Sequence, residues 1–133
     1  PLPKAVPNSI LLHAAAAGCD VTVVHPPGFE LGEKVREEAQ GYASAAGGKI
    51  RYSHDQKAAL DGAHVVFAKS WGPEPRTSED GVVASPALRG WMLTLEDLRR
   101  ASDDAIFMHC LPVRRNVAVS DAGRVRVIAG EFE

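Results

Sequence analysis

Cysteine is nearly missing from these 133 residues, and the two present, Cys19 and Cys110, stand far apart in unlike settings. Two such residues make no disulfide framework, so both read as reduced thiols in a cytosolic compartment. Cys19, beside Gly18, reads as a packing residue. An excess of charge of either sign is lacking too. With 15 Lys and Arg against 17 Asp and Glu, nothing argues for nucleic acid or an anionic membrane surface. No apolar run nears the ~20 residues that span a bilayer, and no signal-peptide pattern opens the chain. No Gly-x-Gly-x-x-Gly follows a strand-like run, which counts against a nicotinamide-binding dinucleotide fold. Repeats and low-complexity tracts are absent. What remains, 45% apolar and 24% charged residues, is the composition of one ordinary globular domain.

Strand and helix signals alternate at short spacing. Pro7-Asn8-Ser9 reads as a helix entry, because proline disfavours helix before it and Asn8 or Ser9 can cap. Residues 10–17 are apolar all round except His13, which predicts a largely buried helix ended by Gly18. Residues 20–25 hold a β-branched Val-Thr-Val-Val run and predict a buried strand. An amphipathic helix over 31–46, with Val35, Ala39 and Tyr42 at helical spacing, ends at Gly47-Gly48. Residues 49–53 alternate like a strand towards a sheet edge. Asp55 is placed to cap a short helix over 55–60, and 64–68 read as a buried strand. Residues 70–84 form a long loop rich in Gly, Pro and charge, a length that usually carries function or is disordered. Thr94 caps a helix over 94–101, and 105–108 read as a short buried strand. A further strand-like run covers 125–129. This alternation predicts an α/β fold, a doubly wound parallel sheet flanked by helices.

The chemistry gathers at Phe107-Met108-His109-Cys110-Leu111-Pro112-Val113-Arg114-Arg115-Asn116. An apolar strand empties into an imidazole, a thiol, a proline stop and two guanidinium groups. In open α/β sheets, ligands bind just beyond the carboxyl ends of the strands. His109 and Cys110 would meet a small polar substrate there, and Arg114 or Arg115 would offer a fork for a carboxylate or phosphate. The bland alternative is a strand ending in a basic surface turn, with His109 and Cys110 as packing residues.

His109-Cys110-Leu111-Pro112 resembles the ornithine-binding motif of the ornithine carbamoyltransferases. The continuation Val113-Arg114-Arg115-Asn116 resembles the branch acting on N-acetylornithine or N-succinylornithine. Two further segments are similar to that branch in order and spacing: residues 1–9, like the loop entering the first helix of its second domain, and Val65-Val66-Phe67-Ala68-Lys69-Ser70-Trp71-Gly72, like its central strand and substrate loop. The resemblance covers nearly the whole chain but only about half of the family's usual polypeptide. It implies that 1–133 is the amino-acid-binding domain, cut at both ends and lacking the central strand that precedes Pro1 in the family. The four main strands would then leave a gap. Nothing matches the Ser-x-Arg-Thr-Arg signature of the carbamoyl-phosphate-binding domain, so these residues alone are expected not to turn over.

What the resemblance implies for single residues follows position by position. His109 matches the histidine that donates towards the carbamoyl oxygen, Cys110 with the Leu111 carbonyl matches the pair orienting the attacking amine, and Arg114 matches the arginine near the substrate carboxylate. Arg115 reads as a surface or interface charge. Asn8 matches the amide that binds the backbone end of the amino acid, although a plain helix cap would also explain it. Lys69, with Ser70 and Trp71 in the substrate loop, discriminates. Enzymes for free ornithine carry an aspartate there, which pairs with the α-ammonium. An acylated substrate has no such charge and suits a lysine; the alternative is a solvated loop lysine. Departures are Ala118, where acetyl-branch members can have lysine, and a chain that reaches only Glu131-Phe132-Glu133 of a later family motif.

The expected activity is therefore transfer of a carbamoyl group from carbamoyl phosphate to the side-chain amine of an N-acylornithine, in arginine biosynthesis. No metal, nucleotide or redox cofactor is implied, nor a nucleic-acid or membrane partner, and the family's habit is a cytoplasmic homotrimer. The rival expectations are a plain ornithine carbamoyltransferase and a non-catalytic amino-acid-binding fragment or paralogue.

Overall fold

A computed structural model of the chain describes residues 5–69, 91, 93–110, 117–119 and 125–127. Ten elements follow in order: α1 (Ala5–Ala16), β1 (Val21–Val24), α2 (Glu33–Ala46), β2 (Ile50–Ser53), α3 (Gln56–Leu60), β3 (Val65–Ala68), α4 (Leu95–Leu98), β4 (Ile106–His109), β5 (Val117–Val119) and β6 (Val125–Val127). The α/β class and the parallel pairing are as the alternation predicts. β1 pairs with β2 and β3 with β4, both in parallel, each pair joined across a helix as parallel strands require. Among the described residues the two pairs are separate sheets. β5 and β6 form a third, antiparallel pair. That pair departs from the all-parallel expectation, and β5 has no counterpart among the expected strands.

One core is formed by Leu11 and Ala15 of α1, Leu31, and Ala39 and Ala43 of α2, with Leu12, Val21, Val23, Val35 and Ile50 packed on it. Val35, Ala39 and Ala43 recur every fourth residue, so they share one face of α2. Three alanines at the contact let the two helices come close. Tyr42, expected on that stripe, is exposed and donates to Glu38 Oε1 at 3.0 Å instead. It sits one position off the every-fourth row.

α2 ends at Gly47, whose φ of 83° is left-handed, and Gly48 follows where the ends of α1 and α2 nearly touch. A Cβ on Gly48 would lie 2.5 Å from the Cys19 carbonyl oxygen and 2.8 Å from the Gly18 carbonyl carbon. Both are backbone atoms and cannot swing aside. Gly48→Ala should therefore destabilise the protein by about 1–3 kcal/mol, the usual cost of overpacking. Urea denaturation checks it: an unchanged midpoint would mean that the helix ends separate freely.

Several local expectations are corrected. α1 begins at Ala5, so Pro7 and Asn8 lie inside its first turns and neither Asn8 nor Ser9 caps it. Proline is tolerated there because first-turn N–H groups have no helical partner. α1 is not buried all round: Ser9, Ile10, His13 and Ala16 are exposed. Cys19 is exposed rather than packed. Only Val66 of β3 is buried, and Ile106, Phe107 and Met108 of β4 are 59%, 50% and 43% exposed, so neither strand is the buried one expected. Among the described residues each pairs only with the other.

The two caps read from the sequence are present. Asp55 Oδ1 accepts from the Ala58 N–H at 3.0 Å, and Thr94 and Asp97 form a reciprocal capping box. The Thr94 hydroxyl and backbone N–H hold the Asp97 carboxyl below the usual carboxylate range. Arg100 then ties α4 back to α3, donating to the Lys57 carbonyl at 3.2 Å and pairing with Asp61 at 2.7 Å. With Ser102 N–H on the Ala63 carbonyl and Ile106 N–H on the His64 carbonyl, this sets β4 beside β3.

Candidate active site at the strand ends

The register of β3 on β4 builds the site. Val65 faces Ile106 and Ala68 faces His109, so both strands stop at the same level and run the same way. Lys69 leaves β3 where Cys110 leaves β4. The structure thus brings together three of the sequence-predicted residues, Lys69, His109 and Cys110, at the carboxyl end of a parallel pair, the position where α/β sheets hold ligands. Lys69 is exposed, and His109 and Cys110 are half-buried. The strand ends one residue later than its apolar run implies, with His109 inside β4. His109 Nδ1 lies 2.5 Å from the Cys110 carbonyl oxygen, across the strand end.

Asn8 lies on α1, which packs chiefly against α2 and also meets β1. Its Oδ1 is buried and has no hydrogen-bond partner among the described residues. A buried acceptor left unpaired costs about 1–3 kcal/mol, and with the helix beginning at Ala5 the capping explanation for Asn8 is gone. Ser70, Trp71, Leu111 and Arg114, together with Arg115, lie outside the described residues.

Sequence reading misses a clasp at the neighbouring pair of strand ends. His25, after β1, is buried with Nδ1 on the Pro26 carbonyl at 2.9 Å, and His54, after β2, places Nδ1 on the His25 carbonyl at 2.8 Å. The rings meet edge to face, centroids 4.9 Å apart. Backbone N–H groups of Glu30 and Gly28 hold the nearby Glu30 carboxyl below its ordinary range. Both histidines are visible in the sequence as strand-end residues, but their meeting depends on the β1–β2 register. A groove of about 960 Å³ between α3 and α4 is lined by Trp91, Lys57, Arg99 and their neighbours and by none of the predicted site residues. Among the described residues no group of three or more His, Cys, Asp or Glu could hold a metal ion, and no helix is long and apolar enough to cross a membrane.

Parallel strands joined across helices thus carry an imidazole, a thiol and an ammonium at one carboxyl edge. Residues 4–125 match the family described as aspartate/ornithine carbamoyltransferase, Asp/Orn binding domain, and the chain belongs to that family. It is 38% identical over 125 residues to the N-acetylornithine carbamoyltransferase of Xanthomonas campestris pv. campestris, covering 92% of this chain and 37% of that protein. It is 35% identical over 122 residues to the N-succinylornithine carbamoyltransferase of Bacteroides fragilis, covering 91% and 34%. A crystal structure of an N-acetyl-L-ornithine transcarbamylase variant, complexed with carbamyl phosphate and N-succinyl-L-norvaline, superposes with a TM-score of 0.77 at 36% identity, over 92% of this chain and 37% of that one. The chain spans about a third of the length of the curated relatives it matches.

Proposed function

We propose that the complete protein transfers a carbamoyl group from carbamoyl phosphate to the side-chain amine of an N-acylornithine, giving N-acylcitrulline and phosphate. The observation that carries this reading is the pairing of Ala68 with His109. In that register Lys69 follows β3 at the level where Cys110 follows β4, and a lysine there, in place of the aspartate that would serve free ornithine, supports an acylated substrate. Relatives named for N-acetyl- and N-succinylornithine support the substrate class, as does the neighbour complexed with carbamyl phosphate and N-succinyl-L-norvaline.

In this reading residues 1–133 supply the amino-acid half of the site, and a carbamoyl-phosphate-binding domain elsewhere in the protein supplies the phosphate cradle. His109 and Cys110 meet the reacting end of the amine. Asn8, Lys69, Ser70, Trp71, Leu111 and Arg114 hold the remainder of the substrate. Neither metal nor redox cofactor has a part in the scheme, the protein works in the cytoplasm in arginine biosynthesis, and it assembles as a homotrimer. Incubating the complete protein with carbamoyl phosphate and N-acetyl- or N-succinylornithine should release phosphate and acylcitrulline in equal amounts. Phosphate release without a carbamoylated amine would refute transfer.

A further inference from the structure

We propose that His109 acts on the attacking amine as a hydrogen-bond and proton acceptor, with the Cys110 carbonyl as the group that sets its tautomer; this deepens the proposed carbamoyl transfer and rests on it. A carbonyl oxygen only accepts, so the 2.5 Å contact from Nδ1 to the Cys110 carbonyl places the proton of the neutral ring on Nδ1. The lone pair is then on Nε2. Among the described residues the ring makes its hydrogen bond through Nδ1 alone. In this tautomer a neutral imidazole has nothing to donate to a carbamoyl oxygen, the role implied by the motif. It donates from Nε2 only as imidazolium. It accepts an N–H as it stands, and the N–H at hand in carbamoyl transfer is that of the amine.

The step balances. The neutral amine nitrogen bonds to the carbamoyl carbon, and the carbon–oxygen bond to phosphate breaks with its electron pair leaving on phosphate. The nitrogen sheds one proton to Nε2, and the imidazolium passes it to the departing phosphate, which leaves as hydrogen phosphate. His109 ends neutral. The titratable and charged neighbours at this edge among the described residues are Cys110, next on the same strand, and Lys69, one residue past the register partner Ala68 on β3.

The test combines two readouts on the complete protein. Nitrogen-15 NMR of the histidine side chains reports the tautomer of His109 and follows its protonation with pH. Steady-state kinetics follow kcat/KM for the acylornithine over the same range, in wild type, His109→Gln and His109→Asn. The expected tautomer is Nδ1–H. Wild-type kcat/KM should fall as His109 takes up its proton, because the imidazolium has no lone pair for the amine. His109→Gln keeps a weak acceptor at the Nε2 position but no base. It should lose about 10²–10⁴-fold in kcat, the usual span for a general base, and lose that pH limb. His109→Asn preserves a donor to the Cys110 carbonyl and should fare no better. An Nε2–H tautomer, or a kcat/KM that rises as His109 protonates, overturns the acceptor role while transfer itself stands. An Nδ1–H tautomer in a protein that carbamoylates no amine overturns the functional reading, and the role with it.

Discussion

Changing Lys69 to Asp in the complete protein should lower the ratio of kcat/KM for N-acylornithine over ornithine by about fivefold to thirtyfold. The α-carboxylate is common to both substrates and cancels in the ratio. The α-nitrogen does not cancel: it is an ammonium in ornithine and an uncharged amide after acylation. At an effective dielectric near 20, unit charges ~4 Å apart interact by roughly 4 kcal/mol. Lys69 is exposed, and solvent screening reduces this to about 1 kcal/mol. Replacing a repelling cation by an attracting anion counts that amount twice, which sets the upper end of the range. Acylornithine itself should be used less well by the Lys69→Asp variant, because two carboxylates then repel where an ammonium and a carboxylate attract. An unchanged ratio would reduce Lys69 to a loop lysine.

The second large effect is a pair of opposite signs at Asn8. Asn8→Ala should raise KM for the acylornithine about tenfold, as expected for the loss of one hydrogen bond worth about 1–1.5 kcal/mol. The same variant should make the ligand-free protein more stable. Asn8 sits within α1, where alanine has the higher helix propensity, and its Oδ1 is buried without a partner among the described residues. An amide N–H on the substrate α-nitrogen is a donor of the kind this acceptor lacks. Denaturation midpoints and KM values, measured side by side, check both signs. A variant that is less stable and binds as before would return Asn8 to a purely structural role.

Much of the fold is legible in the sequence because it rests on local rules. Asp55 and Thr94 cap as capping residues do, Gly47 ends α2 in the left-handed conformation, and the alternation of strands and helices gives parallel pairs. The departures in strand burial share one cause. Burial depends on which layers meet, and a run such as Ile106-Phe107-Met108 looks the same whether covered or open. The start of α1 differs from expectation because proline's penalty on the residue before it counts for less than its ease in a first helical turn. Tyr42 is exposed because it lies one position off the row of Val35, Ala39 and Ala43, and Cys19 lies beyond the end of α1.

For the candidate site, the residue types at 69, 109 and 110 are legible, and their meeting is not. It depends on β3 and β4 being in parallel register with Ala68 opposite His109. The tautomer of His109 is equally invisible in the sequence, since it is set by a carbonyl one residue along and not by a side chain. Asn8 illustrates the reverse: two explanations are open from the sequence, and the helix boundary removes capping.

The most direct measurement is a competition. Complete wild-type protein is given carbamoyl phosphate and an equimolar mixture of N-acetylornithine, N-succinylornithine and ornithine, and the early products are quantified by mass spectrometry. Lys69 beside His109 and Cys110 predicts that acylcitrulline exceeds citrulline by about fivefold or more, with whichever acyl group the remaining domain accommodates. Citrulline as the main product would contradict the account.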